Sequence, residues 1–169
     1  MWRPEPAHVL DVAREGGWLL GSAESLTGGA LSAVLTAVPG ASDVWRGAIV
    51  AYNADVKRDL LGVPASVLDA VGVVSADTAL AMAHGARARL GVDIAVSTTG
   101  VAGPQAHGGR KVGVVFISVV GPGLARVQEF AFAGSREAVV EGAIDAALAA
   151  FLSAMGGRTA EAPGIREQL

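Results

Sequence analysis

Apolar positions recur along the chain at two spacings, and the switches between them divide it into alternating helices and strands. From Pro6 to Glu15, Val9, Leu10, Val12 and Ala13 fall on one helical side, and Gly16-Gly17 follows as a stop. Trp18-Leu19-Leu20 begins a short strand. Beyond Ala23-Glu24-Ser25-Leu26-Thr27-Gly28-Gly29, the recurrence of Leu31, Val34, Leu35 and Val38 predicts a second helix, closed by Pro39-Gly40. Arg46 to Tyr52 is a β-rich run, and Asn53 after it suits the cap of a short helix carrying Val56, Lys57, Leu60 and Leu61. Pro64 starts another short helix, and Ser75 caps an Ala-rich one that ends at Leu90-Gly91. Asp93 to Thr98 reads as the next strand, and Thr99 to Lys111 as a long glycine-bearing loop. Val112–Val120 and Leu124–Phe132 flank Gly121-Pro122-Gly123 as an antiparallel hairpin, followed by a helix from Ser135 to about Met155.

Strands alternating with helices and ending in a hairpin predict a three-layer α/β/α sandwich with a mixed, mostly parallel sheet and a C-terminal antiparallel hairpin. One domain is expected over residues 1–155, with 156–169 as a frayed tail; no internal repeat or low-complexity linker divides it. Ligands on such sheets gather beyond the carboxyl ends of the strands, where both glycine-rich turns are expected.

Composition narrows the chemistry. The 51% hydrophobic share of the 169 residues comes mostly from Ala and Val, and 23 glycines accompany it, which suits small-residue helices packed closely on a sheet. No apolar run approaches the ~20 residues that cross a bilayer, and the first residues lack a signal peptide's apolar centre, so the protein is expected in the cytoplasm. Cysteine is absent, which excludes disulfides, thiolate metal sites and a cysteine nucleophile. A net charge of -3 without a basic run offers no footprint for nucleic acid or an anionic membrane.

Ser25 stands at a strand-to-helix turn, where its hydroxyl can enter a cleft and the amides of Thr27, Gly28 and Gly29 can meet an oxyanion. The same residues also suit a simple helix cap. A hydroxyl nucleophile needs a base. The candidates are Lys57, one of only two lysines, and the three isolated histidines, His8, His84 and His107. The G-x-S-x-G elbow that would favour histidine is missing. Lysine acts as a base only when burial or a neighbouring positive potential lowers its pKa; a solvated Lys57 paired with Asp55 or Asp59 fits the spacing equally well. Tyr52, the single tyrosine, can relay a proton or merely cover the core. Arg136, beside the Ser135 cap, suits a phosphate clamp or an exposed first turn. No H-x-x-x-H, H-x-E, G-x-G-x-x-G or P-loop pattern occurs, so neither a metal nor a cofactor is expected.

Five segments then fall in a familiar order: Ala23 to Gly29; Gly47 to Asn53 with Lys57 and Leu61-Gly62-Val63; Gly72-Val73-Val74-Ser75; Thr99 to Pro104; and Phe132 to Arg136. Together they resemble the C-terminal domain of competence/damage-inducible protein CinA, the nicotinamide-nucleotide amidase family, over roughly residues 5–155. The resemblance implies hydrolysis of nicotinamide mononucleotide to nicotinic acid mononucleotide and ammonia, in an α/β/α fold that commonly forms homo-oligomers. It also implies Ser25 as nucleophile, Lys57 as base and Tyr52 as an assisting hydroxyl. Thr27, Gly28, Gly29, Thr99, Gly100 and Gly103 would hold the substrate, and Arg136 its phosphate. Two positions depart from the family pattern: the loop after Pro104 lacks a Lys-Pro-Val-Gly close, and Val140 stands where a second arginine is common. A nucleotide-binding module that uses Ser25, Thr27 and the glycine turns without chemistry is the alternative.

Overall fold

β1 (Leu20–Glu24) is buried along its whole length because it lies between β2 (Trp45–Val50) and β3 (Ile94–Gly100), with helices over both faces. In the computed structural model of the chain, which describes residues 4–156, the five-stranded sheet has the order β2-β1-β3-β4-β5. The first three strands are parallel neighbours, whereas β4 (Val114–Gly121) and β5 (Leu124–Ala131) add on as the antiparallel hairpin that the alternation around residues 121–123 predicts. Four strands therefore run one way and β4 the other, so the mixed, mostly parallel sheet of the sequence reading stands.

Helices divide between the faces as the apolar spacing requires. α1 (Pro6–Gly16), α2 (Ala30–Thr36) and α6 (Arg136–Ala154) pack on one face, where Leu10, Leu35, Leu148 and Phe151 meet Ile94 and Val96 of β3. α3 (Ala54–Leu61), α4 (Ala65–Val71) and α5 (Ala76–Leu90) cover the other, where Leu61, Met82 and Ala86 meet Ala23 and Ala95. Ile94, Ala95 and Val96 alternate between the two cores, the period of two that a sheet covered on both faces imposes. Trp45 and Phe151 meet edge to face at 6.0 Å between ring centres.

The expected boundaries hold to within a few residues, and one expected cap does not form. Asn53 precedes α3 in an extended conformation, but its side chain makes no cap; its carbonyl accepts the Lys57 amide at 3.1 Å instead. Ser75 and Ser135, by contrast, do cap their helices, accepting from the amides of Thr78 and Ala138. The tail expected over 156–169 lies outside the described residues except for Gly156.

Parallel register brings three chain turns to one edge. Glu24 pairs with Val50 on one side and Thr98 on the other, so the segments following β1, β2 and β3 leave from the same end of the sheet. α5 reaches this sheet by crossing α3 at Gly85, where an added Cβ would collide with the backbone of Leu61. Alanine at position 85 would gain about 1 kcal/mol of helix propensity, yet the clash is with main chain that has nowhere to go. Gly85→Ala is therefore expected to be destabilising by ~1–3 kcal/mol net, seen as a Tm several degrees lower in thermal unfolding; an unchanged or higher Tm would show that the helices can move apart freely.

Candidate active site

Ser25 is the first residue beyond β1 and is 8% exposed. Its amide donates to the Thr98 carbonyl at 2.9 Å, and its own carbonyl accepts the Gly28 amide at 3.0 Å, which closes a tight elbow between strand and helix. Gly28 and Gly29 have φ of 58° and 98°, the left-handed region in which glycine carries little penalty, so the two glycines are what lets the chain turn here. The amides of Gly28 and Gly29, expected to face an oxyanion, are already engaged: the first by Ser25, the second by the Glu24 carboxylate at 3.0 Å.

α3 brings Lys57 to this elbow. Its side chain is 1% exposed, and Nζ donates to Ser25 Oγ at 2.9 Å, to the Ala51 carbonyl at 2.8 Å and to the Tyr52 carbonyl at 3.2 Å. Burial lowers its pKa from 10.5 to about 8, because the ammonium loses its water. The two carbonyls also dictate direction. A neutral amine has two N–H bonds and one lone pair, and carbonyl oxygens can only accept; with both N–H bonds held by Ala51 and Tyr52, the lone pair faces the Ser25 hydroxyl. Such a pair can remove the proton of the hydroxyl and so make it a nucleophile.

The alternatives left open by spacing separate here. Asp59 pairs with Arg58 at 2.7 Å and Asp55 accepts from the Val56 amide, so neither carboxylate is Lys57's partner. His8, His84 and His107 are exposed side chains on α1, α5 and the loop after β3, and the hydrogen-bond partner of Ser25 Oγ is Lys57.

Around the pair, some expected substrate contacts prove to be internal pins. Thr27 Oγ1 lies 2.8 Å from both Glu24 Oε2 and Thr98 Oγ1, and Thr99 Oγ1 donates to the Val73 carbonyl at 2.7 Å. Gly100 lies so close to Val114 and Val115 of β4 that a Cβ would not fit, whereas Gly103 occupies the turn beyond. Tyr52 sends its hydroxyl away from the pair to Arg136, which donates to it at 2.9 Å and to the Gly103 carbonyl at 2.6 Å. Arg136, at the start of α6, thus ties the turn after β2 to the turn after β3 through an exposed guanidinium. Beside Tyr52 a cleft of about 530 Å³ opens, with Asn53, Asp55, Val73 and His107 on its walls; Ser25 and Lys57 lie outside those walls.

Two contributors escape the motif reading: Glu24, fully buried beneath the elbow, and the Ala51 carbonyl that aims Lys57. A carboxylate ending an otherwise apolar and small-residue strand was the legible signal for the first; a main-chain carbonyl leaves none.

Fold and site define a three-layer α/β protein with a buried serine–lysine pair at the carboxyl ends of its parallel strands. The sequence profile of the CinA C-terminal domain matches residues 4–155, and the chain belongs to that family. It is 48% identical over 115 residues to a CinA-like protein of Parasynechococcus marenigrum (strain WH8102), covering 68% of this chain and 27% of the relative. A CinA-like protein of Geotalea daltonii is 42% identical over 132 residues, 78% of this chain and 32% of the relative. The chain thus spans a third or less of the length of these curated relatives. Among solved structures, the competence damage-inducible protein A (ComA) of Klebsiella pneumoniae superposes with a TM-score of 0.86 at 33% identity, over 89% of this chain and 94% of that one.

A reagent that needs only an activated serine probes the pair without assuming a substrate. Phosphonylation of Ser25 by a fluorophosphonate is expected to rise about tenfold per pH unit below the Lys57 pKa of about 8 and to level off above it, since only neutral Lys57 accepts the proton. Lys57→Met should abolish that pH dependence; a profile unchanged by the substitution would remove Lys57 as the base.

Proposed function

We propose that the chain is an amidase that hydrolyses the carboxamide of nicotinamide mononucleotide, releasing ammonia and nicotinic acid mononucleotide, within pyridine-nucleotide recycling. The observation that carries the reading is the 2.9 Å contact between Lys57 Nζ and Ser25 Oγ, with both remaining lysine contacts on carbonyls. A protein that only bound phosphate would have no use for a buried base beside a hydroxyl. It would also want the Gly28 and Gly29 amides, which the Ser25 carbonyl and the Glu24 carboxylate occupy.

In this reading Lys57 takes the Ser25 proton as Oγ bonds to the carboxamide carbon, giving a tetrahedral intermediate. The C–N bond then breaks, Lys57 returns its proton to the departing nitrogen as ammonia, and an ester to Ser25 remains. Water attacks that ester with Lys57 again as base, freeing the carboxylic acid and restoring the hydroxyl. Arg136 meets the substrate phosphate by turning its exposed guanidinium from Gly103 and Tyr52, which releases the Tyr52 ring at the mouth. The reaction calls for no redox or Lewis-acid step, and among the described residues no three His, Asp or Glu side chains gather as a metal site. No helix among the described residues is long and apolar enough to cross a membrane.

Incubating the purified chain with nicotinamide mononucleotide and measuring ammonia and the acid product tests the proposal; no release above that of Ser25→Ala would overturn it. Ser25→Ala, Lys57→Ala and the double variant should each lower kcat by a similar factor, on the order of a thousandfold or more, because the two residues act as one unit. Arg136→Ala should mainly raise KM. A chelator such as EDTA should leave the rate unchanged, and a requirement for added zinc or magnesium would count against the mechanism.

A further inference from the structure

Glu24 is fully buried, and five donors converge on its carboxylate. Gly29 and Leu31 amides donate to Oε2 at 3.0 and 3.1 Å, the Ser32 amide donates to Oε1 at 2.9 Å, and the hydroxyls of Thr27 and Ser22 reach it at 2.8 and 3.3 Å. With the Thr27 hydroxyl donating inward, Thr98 Oγ1 at 2.8 Å donates to Thr27 in turn, so the chain of hydrogen bonds runs from β3 through the elbow to the carboxylate.

The amides of the elbow can then be accounted for one by one. Ser25 donates to Thr98, Gly28 to the Ser25 carbonyl and Ala30 to the Thr27 carbonyl, while Gly29, Leu31 and Ser32 donate to Glu24. Two remain: the amides of Leu26 and Thr27 donate to no acceptor among the described residues, although the two residues are only 6% and 5% exposed. Folded proteins leave few amides of buried residues without an acceptor, and those they do leave call for an explanation such as a catalytic role. These two immediately follow the nucleophile, the place from which a backbone amide reaches the oxygen of a carbonyl under attack.

We propose that Glu24 is a positioning residue: by taking the amides at the start of α2 it locks the elbow, leaving the Leu26 and Thr27 amides as the donors that receive the oxyanion. The inference rests on Ser25 acting as the nucleophile of the proposed amidase. The negative carboxylate also offsets the positive end of α2, so the oxyanion depends on these two direct hydrogen bonds instead of the helix as a whole.

Glu24→Gln keeps the size but sets an NH2 group against donating amides, which loosens the elbow without opening a cavity. With nicotinamide mononucleotide, kcat per titrated Ser25 is expected to fall on the order of 100-fold while KM stays within about threefold, the pattern of a contact made mainly in the transition state. Thr27→Ser, which retains the hydroxyl link to Glu24, should keep kcat within about threefold of the parent, and Thr27→Val should not. A Glu24→Gln protein with a lower Tm but unchanged kcat per titrated serine would reduce Glu24 to a structural role and overturn the proposal. Independently of any variant, a crystal structure of the parent phosphonylated on Ser25 should hold the phosphoryl oxygen within ~3 Å of the Leu26 and Thr27 nitrogens; an oxygen turned to solvent would also overturn it. If the parent is phosphonylated with that geometry yet releases no ammonia, the substrate reading fails and the positioning inference stands.

Discussion

Everything in this site depends on one buried amine held by three oxygens. Lys57 has almost no contact with water, and its Nζ has a hydroxyl and two backbone carbonyls as neighbours. Carbonyl dipoles favour the ammonium, but desolvation outweighs them and the pKa falls from 10.5 to about 8. The folded state therefore bears the cost of a charged Lys57 at neutral pH. Since the unfolded chain binds more protons between about 8 and 10.5, that cost fades as pH rises through this window. Burying Lys57 thus weakens the fold at neutral pH and leaves a lone pair aimed at the Ser25 hydroxyl, the kind of perturbed group that clusters at functional sites.

The scaffold makes the pairing possible by geometry that no single segment possesses. β1, β2 and β3 end on the same side because they are parallel and in register, so Ser25 after β1 and Ala51-Tyr52 after β2 are neighbours before any side chain is considered. α3 then returns Lys57 beneath the Tyr52 carbonyl, with the Leu61 end of the helix anchored against α5 at Gly85. On the other side of the sheet, the Glu24 carboxylate ties α2 to β1, so Ser25 is mounted between a strand and a helix that cannot shift independently. Arg136 adds a looser link, because its exposed guanidinium joins Tyr52 and Gly103 through contacts that solvent or an anion can replace.

Much of this was legible along the chain, because local rules are strong where they apply. Apolar spacing located the helices and strands. Gly28-Gly29 after Ser25 announced the elbow, since only glycine turns the chain there so cheaply, and Ser75 and Ser135 announced the caps that they form. Cysteine's absence removed a thiol nucleophile, and the scarcity of lysine put Lys57 among the candidate bases beside three histidines; their roles came from the family resemblance.

Tertiary structure decided what one-dimensional spacing cannot encode: which atoms meet across long loops. Ser25 and Lys57 are 32 residues apart, and only the parallel pairing of β1 with β2 chose Lys57 over the histidines. Spacing offered Thr27, Thr99 and the glycine amides to a substrate, but the folded chain spends the hydroxyls on Glu24, Thr98 and Val73 and the amides of Gly28 and Gly29 on Ser25 and Glu24. Polar groups closed off from water bond to whatever lies nearest in space, and neither the buried role of Glu24 nor the direction of the Tyr52 hydroxyl has a signature in sequence order.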